Sequence, residues 1–222
     1  MLRRTFVKAS AALALAATIA MPAFAATAGQ DYQVLEKPLP GGEGKIVKIW
    51  SYDCPFCFKY DAGVDPKVMP GAEQATGLHF EMMHLETKGK FGRAASEFLA
   101  YCQLEDQKAG VTSVEDAKSL YKKAKDAWYQ AYHKKGERWT SGEAAFLKTL
   151  TDATGISLDE FNKAKNDEAV KALCAEWKTS YDVAKIQGIP AYVVNGKYLI
   201  MTKSIRNFDG MVNLVKELKE MK

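Results

Sequence analysis

The sequence predicts an α/β fold in which a long helical block interrupts one β-sheet. Strand-like runs of β-branched and aromatic residues lie toward both ends of the chain, at residues 32–35, 45–52, 78–85, 191–194 and 197–201. Between the third and fourth runs, residues 93–187 repeat apolar side chains at helical spacing. A third observation is a Cys-x-x-Cys pair, Cys54 and Cys57, placed where the second strand should end and a helix should begin.

The part of the chain before the helical block predicts three strands and one helix. Residues 38–44, rich in proline and glycine, predict a turn between the first two strands. Pro55 suits the first turn of a helix that residues 58–60 can continue. Residues 78–85 then predict the third strand.

Apolar faces and end signals divide the helical block into several helices. Two faces recur at helical spacing, one formed by Ala94, Phe98, Tyr101 and Cys102 and the other by Leu120, Ala124 and Trp128. Residues 139–142 predict a break. Ser157 followed by Glu160 has the form of a capping box and predicts the start of a further helix.

The last part of the chain predicts a hairpin and a helix. Asn195-Gly196 separates two short apolar runs, which is a strong signal for a two-residue hairpin turn. Residues 208–221 predict a helix with one apolar face, formed by Met211, Leu214, Val215 and Leu218. The whole order of elements is typical of a thioredoxin-like fold with an inserted all-helical domain. We therefore assign residues 26–91 and 181–222 to the two parts of the thioredoxin-like domain and 92–180 to the insertion.

The N-terminus has the features of a secretory signal peptide. Arg3, Arg4 and Lys8 precede an uncharged apolar stretch that ends in Ala23-Phe24-Ala25. We expect residues 1–25 to be removed between Ala25 and Ala26 and the protein to reside in the periplasm. The paired arginines also resemble a twin-arginine signal, so both export routes stay open.

Composition limits the class of protein. Removing the three basic residues of the signal peptide from the 31 Lys and Arg leaves 28, against 27 Asp and Glu. A nearly neutral chain gives no indication of nucleic-acid binding. We expect a monomer, and four cysteines in an exported chain imply an oxidising compartment.

Cys54 and Cys57 can close a small, reducible disulfide at the start of a helix, which indicates a redox motif. Free N–H groups and the helix dipole favour an anion there, so Cys54 should ionise more readily than a free thiol. Half of a zinc site and an inert structural disulfide are the other interpretations. Zinc would need further ligands, yet Cys102 and Cys174 are isolated and the three histidines lie at no ligand spacing to them.

Pro190 stands immediately before the apolar run 191–194. In thioredoxin-like folds an X-cis-Pro bond faces the cysteine pair, and Ile189-Pro190 is the candidate here. The alternative is a trans proline at the start of a strand.

Three segments resemble the DsbA family of periplasmic disulfide oxidoreductases: residues 32–38, Cys54-Pro-Phe-Cys57 and residues 188–198. Phe56 in place of histidine, with residues 84–89 and 180–188, is most similar to the DsbL branch of that family. The resemblance implies a thiol oxidase without a cofactor beyond its Cys54–Cys57 disulfide, with Pro55, Phe56, Ile189 and Pro190 at the active site. It also implies reduced exported proteins as substrates, among them an arylsulfate sulfotransferase, and reoxidation by a DsbB- or DsbI-like membrane quinone reductase.

Other functions use the same motif and groove. A disulfide isomerase or reductase would need a less stable reduced form, and most isomerases carry a dimerisation domain for which 197 residues leave no room. A peptide-binding chaperone would need neither cysteine.

Lys48 is a candidate source of thiolate stabilisation, because Phe56 leaves no imidazolium beside Cys54. It shares its strand face with Ile46 and Trp50, so we expect its amine in an apolar setting near Cys54. The alternative is a lysine at the sheet margin whose amine reaches solvent.

The remaining cysteines and His84 have structural interpretations. Cys102 and Cys174 lie on predicted helices, and we expect a structural disulfide between them. The alternative is two separate buried cysteines that act as small apolar side chains. His84 is expected to be a hydrogen-bonded structural histidine, since exchange needs no separate base once the thiolate exists.

Overall fold

One mixed sheet forms the centre of the molecule in a computed structural model that describes residues 25–221. Its strands are β1 (Tyr32–Val34), β2 (Lys45–Trp50), β3 (His79–His84), β4 (Ala191–Val194) and β5 (Tyr198–Ile200). They lie in the order β1-β5-β4-β2-β3; β2 and β3 are parallel, and the other pairs are antiparallel. The predicted signal peptide lies outside the described residues apart from Ala25.

Helices cover the sheet and form the block between β3 and β4. They are α1 (Pro55–Gly63), α2 (Asp65–Thr76), α3 (Gly92–Lys108), α4 (Leu120–Tyr129), α5 (Glu143–Thr154), α6 (Leu158–Ala164), α7 (Glu168–Lys178), α8 (Ser180–Gln187) and α9 (Phe208–Glu220). A π-helical turn, Gln130–Lys134, continues α4, and a 3₁₀ turn spans Thr202–Ser204. Within residues 25–221, no helix combines the length and apolar character that a membrane span requires.

The predicted α/β fold with an inserted helical block is confirmed. The sheet takes three strands from before the block and two from after it, and each strand lies inside its predicted segment. α2, by contrast, was not predicted. Pro66 and Pro70 both lie in it, and an interior proline usually breaks a helix. Its buried side also includes the carboxylate of Asp65, which weakens the apolar periodicity.

β2 is an interior strand, flanked by β4 on one side and β3 on the other. Its side chains are buried on both faces, so the strand shows a continuous apolar run instead of alternation. Ile46, Val47, Ile49 and Trp50 have no exposed surface, and neither has Lys48 in their midst. The strand therefore carries a lysine into the core directly ahead of the cysteine pair.

The predicted hairpin between β4 and β5 is confirmed. Asn195 and Gly196 both have left-handed backbone conformations, with φ of 51° and 68°, as a type I′ turn requires. The Asn195 side chain also accepts a hydrogen bond of 2.8 Å from the N–H of Gly44. The turn is thus attached to the loop that leads into β2.

The two predicted helix signals in the second half of the chain are also confirmed. Ser157 caps α6 by accepting a hydrogen bond from the N–H of Glu160. α9 buries its four predicted apolar residues and packs against α2. α2, which also packs against the cysteine helix and β3, thus lies between these elements and α9.

His84 is a structural histidine, as expected. Its ring has no exposed surface, and Nδ1 lies 2.9 Å from the hydroxyl oxygen of Ser96 on α3. The N–H of Tyr52 donates to Nε2 over 3.4 Å, and the two rings are stacked. Burial lowers the pKa of His84 from 6.5 to about 3, so the imidazole is neutral and joins β3 to the helical block.

The expectation of a disulfide between Cys102 and Cys174 is wrong. Both thiols are free. Cys174 faces the first turns of α3, near Arg93 and Glu97, whereas the charges nearest to Cys102 belong to later residues of α3 and to Glu160 of α6. Each cysteine therefore serves as a separate buried apolar side chain.

We predict that His84 makes the protein less stable as the pH falls. Below about pH 6.5 the unfolded chain binds a proton that the folded protein does not bind until about pH 3. Between pH 7 and pH 5 this difference should cost about 2 kcal/mol of unfolding free energy. Urea denaturation at both pH values should show that His84→Gln removes this part of the loss. The matched control, His79→Gln at an exposed position, should retain it; equal slopes in all three proteins would contradict the prediction.

Candidate redox site

Cys54 occupies the N-cap position of α1, and Pro55 follows in the first turn. Its sulfur accepts a hydrogen bond of 3.1 Å from the N–H of Cys57. This geometry follows from the sequence, because Pro55 has no N–H and the end of β2 directs Cys54 toward the free N–H groups of the helix. Cys54 retains 3% of its surface exposed and Cys57 none, so a partner can reach only Cys54.

The two thiols have opposite acidities. Hydrogen bonds from the Cys57 side chain, and from the N–H groups of Cys57 and Phe56, lower the pKa of Cys54, against the effects of burial and of Asp53. Burial, followed by the Cys54 side chain, raises the pKa of Cys57 well above its usual value. In the reduced pair Cys54 is therefore the thiol that ionises first, and Cys57 is the one that keeps its proton.

The Ile189-Pro190 peptide is cis and lies opposite the cysteine pair. As a thiol, Cys54 donates to the carbonyl oxygen of Ile189 at an S···O distance of 3.6 Å. Pro190 is buried, whereas Ile189 is partly exposed. The backbone before β4 is thus within reach of any chain bound at Cys54.

Phe56 contributes its backbone to the site and its ring to the surface. The side chain is 60% exposed, and the Lys59 amine lies 5.6 Å from the centre of its ring. No imidazole occupies this position, and the residue acts on Cys54 through its backbone N–H, which lowers the pKa of that thiol. The exposed ring gives this end of α1 an apolar contact surface.

Lys48 is fully buried, as expected, but the structure corrects its expected role. Its amine forms a short hydrogen-bonded ion pair with Asp65 and donates to the carbonyl oxygen of Cys57 over 3.4 Å. Its positive charge lowers the pKa of Cys57, whereas the main influences on the pKa of Cys54 are Cys57, burial, the N–H of Phe56 and Asp53. The reason is geometric, because β2 lies beneath α1 and its lysine approaches the buried cysteine. The alternative of a lysine at the sheet margin also fails, because Lys48 has no exposed surface.

A second, partly buried ion pair connects the helical block to α1. Lys125 of α4 has no exposed surface, and its amine lies 2.5 Å from a carboxylate oxygen of Asp61. Asp61 is also 3.9 Å from the Lys48 amine. Burial lowers the pKa of Lys125, but Asp61, Glu115 and Asp126 outweigh that effect and raise it. Lys125, Asp61 and Lys48 therefore form a series of alternating charges that leads from the helical block to the carbonyl oxygen of Cys57.

Sequence reasoning missed the partners of Lys48. Asp65 lies on the unpredicted helix α2, and the hydroxyl of Tyr192 on β4 donates to it over 2.5 Å. Lys125 had a usable signal, because it lies four residues after Tyr121 and three before Trp128, on the buried face of α4. Asp61 had none beyond its place on α1.

His133 on the π-helical turn also contacts the site. Its ring is stacked on Phe58 with centroids 4.8 Å apart, and Nε2 lies 2.9 Å from the carbonyl oxygen of Tyr52. Burial lowers its pKa. The neutral ring therefore donates to the loop before Cys54 and fixes the helical block against α1. Among the described residues, no cluster of His, Cys, Asp and Glu is arranged to hold a metal ion.

Residues 63–213 match the family described as "DSBA-like thioredoxin domain". The thiol:disulfide interchange protein DsbL of Lelliottia amnigena is 52% identical over 209 residues, which is 92% of each chain. The protein of the same name from Escherichia coli O6:H1 is 50% identical over 93% of this chain and 92% of its own. The crystal structure of DsbL from Salmonella enterica serovar Typhimurium superposes with a TM-score of 0.82 at 50% identity, covering 89% of this chain and 99% of that one.

We predict that Lys48→Met destabilises the protein because it leaves the Asp65 carboxylate buried without its cation. Such a change typically costs about 3–5 kcal/mol. The pKa of Cys57 should rise while that of Cys54 changes little. Urea denaturation and thiolate absorbance at 240 nm measure the two effects.

Two further variants test the origin of the loss. Lys48→Met combined with Asp65→Asn removes both charges and should recover much of the stability. Lys45→Met, on the same strand, breaks the more exposed pair with Glu81 and should cost at most about 1 kcal/mol. Equal stability of Lys45→Met and Lys48→Met would contradict the prediction.

Proposed function

Because this chain belongs to the family of DSBA-like thioredoxin domains and is a thiol:disulfide oxidoreductase, we propose that it works as an oxidase. It donates the Cys54–Cys57 disulfide to reduced proteins exported to the periplasm. The observation that carries the proposal is the opposite acidity of the two thiols. A stabilised Cys54 thiolate favours the reduced protein, and a protein that is stable when reduced is a strong oxidant.

The proposed exchange has two steps, and Cys54 takes part in both. A substrate thiolate attacks the Cys54 sulfur, the Cys54–Cys57 bond breaks, and Cys57 leaves as a thiolate that takes a proton from water. A second substrate thiolate then attacks the substrate sulfur of the mixed disulfide. A disulfide forms in the substrate, and Cys54 leaves as the thiolate that the N-terminus of α1 stabilises.

Backbone and surface groups around Cys54 suit an extended substrate. The Ile189 carbonyl, 3.6 Å from the Cys54 sulfur, can accept a hydrogen bond from a substrate N–H by strand-like pairing. Pro55 and Phe56 are exposed next to it. Access from one side explains why Cys54 and not Cys57 forms the mixed disulfide.

The redox potential tests the direction of the reaction. Equilibrated with glutathione buffers, the protein should lie nearer to the value of about −120 mV that is typical of a strong oxidant than to about −270 mV for thioredoxin. Alkylation of free thiols followed by gel separation gives the reduced fraction. A value near that of thioredoxin would indicate a reductase and refute the oxidase.

Replacing both active-site cysteines with serine should abolish oxidation of a reduced substrate. If the main activity of the protein were instead the suppression of aggregation, and this variant retained it, the protein would be a chaperone.

We further propose an arylsulfate sulfotransferase as a substrate and a DsbB- or DsbI-like quinone reductase as the reoxidising partner. The support is the resemblance to the DsbL branch, together with the identity of about half of all residues to proteins of that name. We expect the oxidised protein to restore activity to reduced sulfotransferase at least about tenfold faster than it oxidises an unrelated reduced exported protein. Equal rates would support a general oxidase without this preference. The chain with Cys54→Ser is the control for spontaneous oxidation.

A further inference from the structure

The hydroxyl of Tyr129 is buried and unpaired. Tyr129 ends α4 and is 1% exposed, and its hydroxyl has no hydrogen-bond partner within residues 25–221. Other buried tyrosines are paired: Tyr121 accepts from the Trp50 indole and donates to the Met82 carbonyl, and Tyr192 donates to Asp65. An unpaired buried hydroxyl is unfavourable and needs an explanation.

The ring of Tyr129 lies against the cysteine helix. Its centroid is 5.3 Å from that of Phe58, the residue after Cys57, and 5.2 Å from that of Trp50 on β2. Of the charged groups that act on its hydroxyl, Cys57 has the largest effect, ahead of Asp61. The remaining titratable groups packed around Tyr129 and Cys57 are Cys54, Asp65, Lys48, Lys125, His133 and Tyr192.

Thiol exchange gives Cys57 a charge in a fully buried setting, where the Lys48 amine and a backbone hydrogen bond at Ser51 lower its pKa but do not outweigh burial. Cys57 is a thiolate whenever its bond to Cys54 breaks or forms, and it is fully buried. Its N–H points to the Cys54 sulfur, and the Lys48 amine donates to its carbonyl oxygen instead of its sulfur. Burial still disfavours this anion, so a further hydrogen-bond donor at the sulfur would stabilise it.

We propose that the Tyr129 hydroxyl donates a hydrogen bond to the Cys57 thiolate when that thiolate forms. In reoxidation, Cys57 loses its proton to water and its thiolate attacks the Cys54 sulfur of a mixed disulfide. The Cys54–Cys57 bond forms, the bond from Cys54 to the partner breaks, and the partner leaves as a thiolate. A donor that is unpaired in the resting protein and paired at this step lowers the barrier selectively.

The test is Tyr129→Phe in the reduced protein, mixed with 5,5′-dithiobis(2-nitrobenzoate) in a stopped-flow spectrometer. The attack of Cys54 releases one thionitrobenzoate, and the attack of Cys57 releases the second, so the two thiols give separate phases. We expect the second phase to be about tenfold slower near pH 7, with its midpoint moved to higher pH, while the first phase is unchanged. Stability in urea should not fall, because no hydrogen bond of the resting protein is lost.

Tyr121→Phe is the matched control, since it removes a buried hydroxyl from the same helix but one that is paired. It should lower stability and leave the pH profile of the second phase unchanged. An unchanged second phase in Tyr129→Phe, or an equal shift in Tyr121→Phe, would overturn the inference. The inference rests on the proposed roles of the two cysteines; absence of the first phase in the unmodified protein would refute those roles instead.

Discussion

Lys48, buried in the middle of β2, constrains how the strands and helices pack beneath the cysteine pair. Lys48 cannot stay charged in the core without a carboxylate, so α2 must place Asp65 against it. Tyr192 from the neighbouring strand then fixes Asp65. β2, β4 and α2 therefore meet at one buried polar group below Cys57, formed by Lys48, Asp65 and Tyr192.

The same arrangement separates the properties of the two cysteines. Cys54 lies at the helix N-terminus, where N–H groups stabilise its thiolate, while Cys57 lies one turn lower in the core, where burial keeps it a thiol. The lysine acts on the buried partner and leaves the outer thiolate to the helix. The helical block contributes as well, because Lys125, Tyr129 and His133 all contact α1 or its immediate neighbours. The inserted domain is thus part of the redox site.

Local patterns were sufficient for the features that depend on neighbours along the chain. The end of β2, Pro55 and the cysteine spacing predicted that Cys54 lies at the N-terminus of a helix, and Asn195-Gly196 predicted the hairpin turn. The spacing of apolar residues predicted the buried face of α9. Lys48 was correctly expected to be buried, because its strand face is shared with Ile46 and Trp50.

The sequence by itself thus determined the fold class, the cysteine chemistry and the burial of Lys48. Only the tertiary structure decided what Lys48 pairs with, which cysteine it acts on, and that Cys102 and Cys174 have different neighbours. These outcomes depend on contacts between residues far apart in the chain, such as Asp65 with Tyr192 and Asp61 with Lys125. Charge and hydrogen-bond partners are chosen by distance in space, and periodicity along the chain carries no information on that distance.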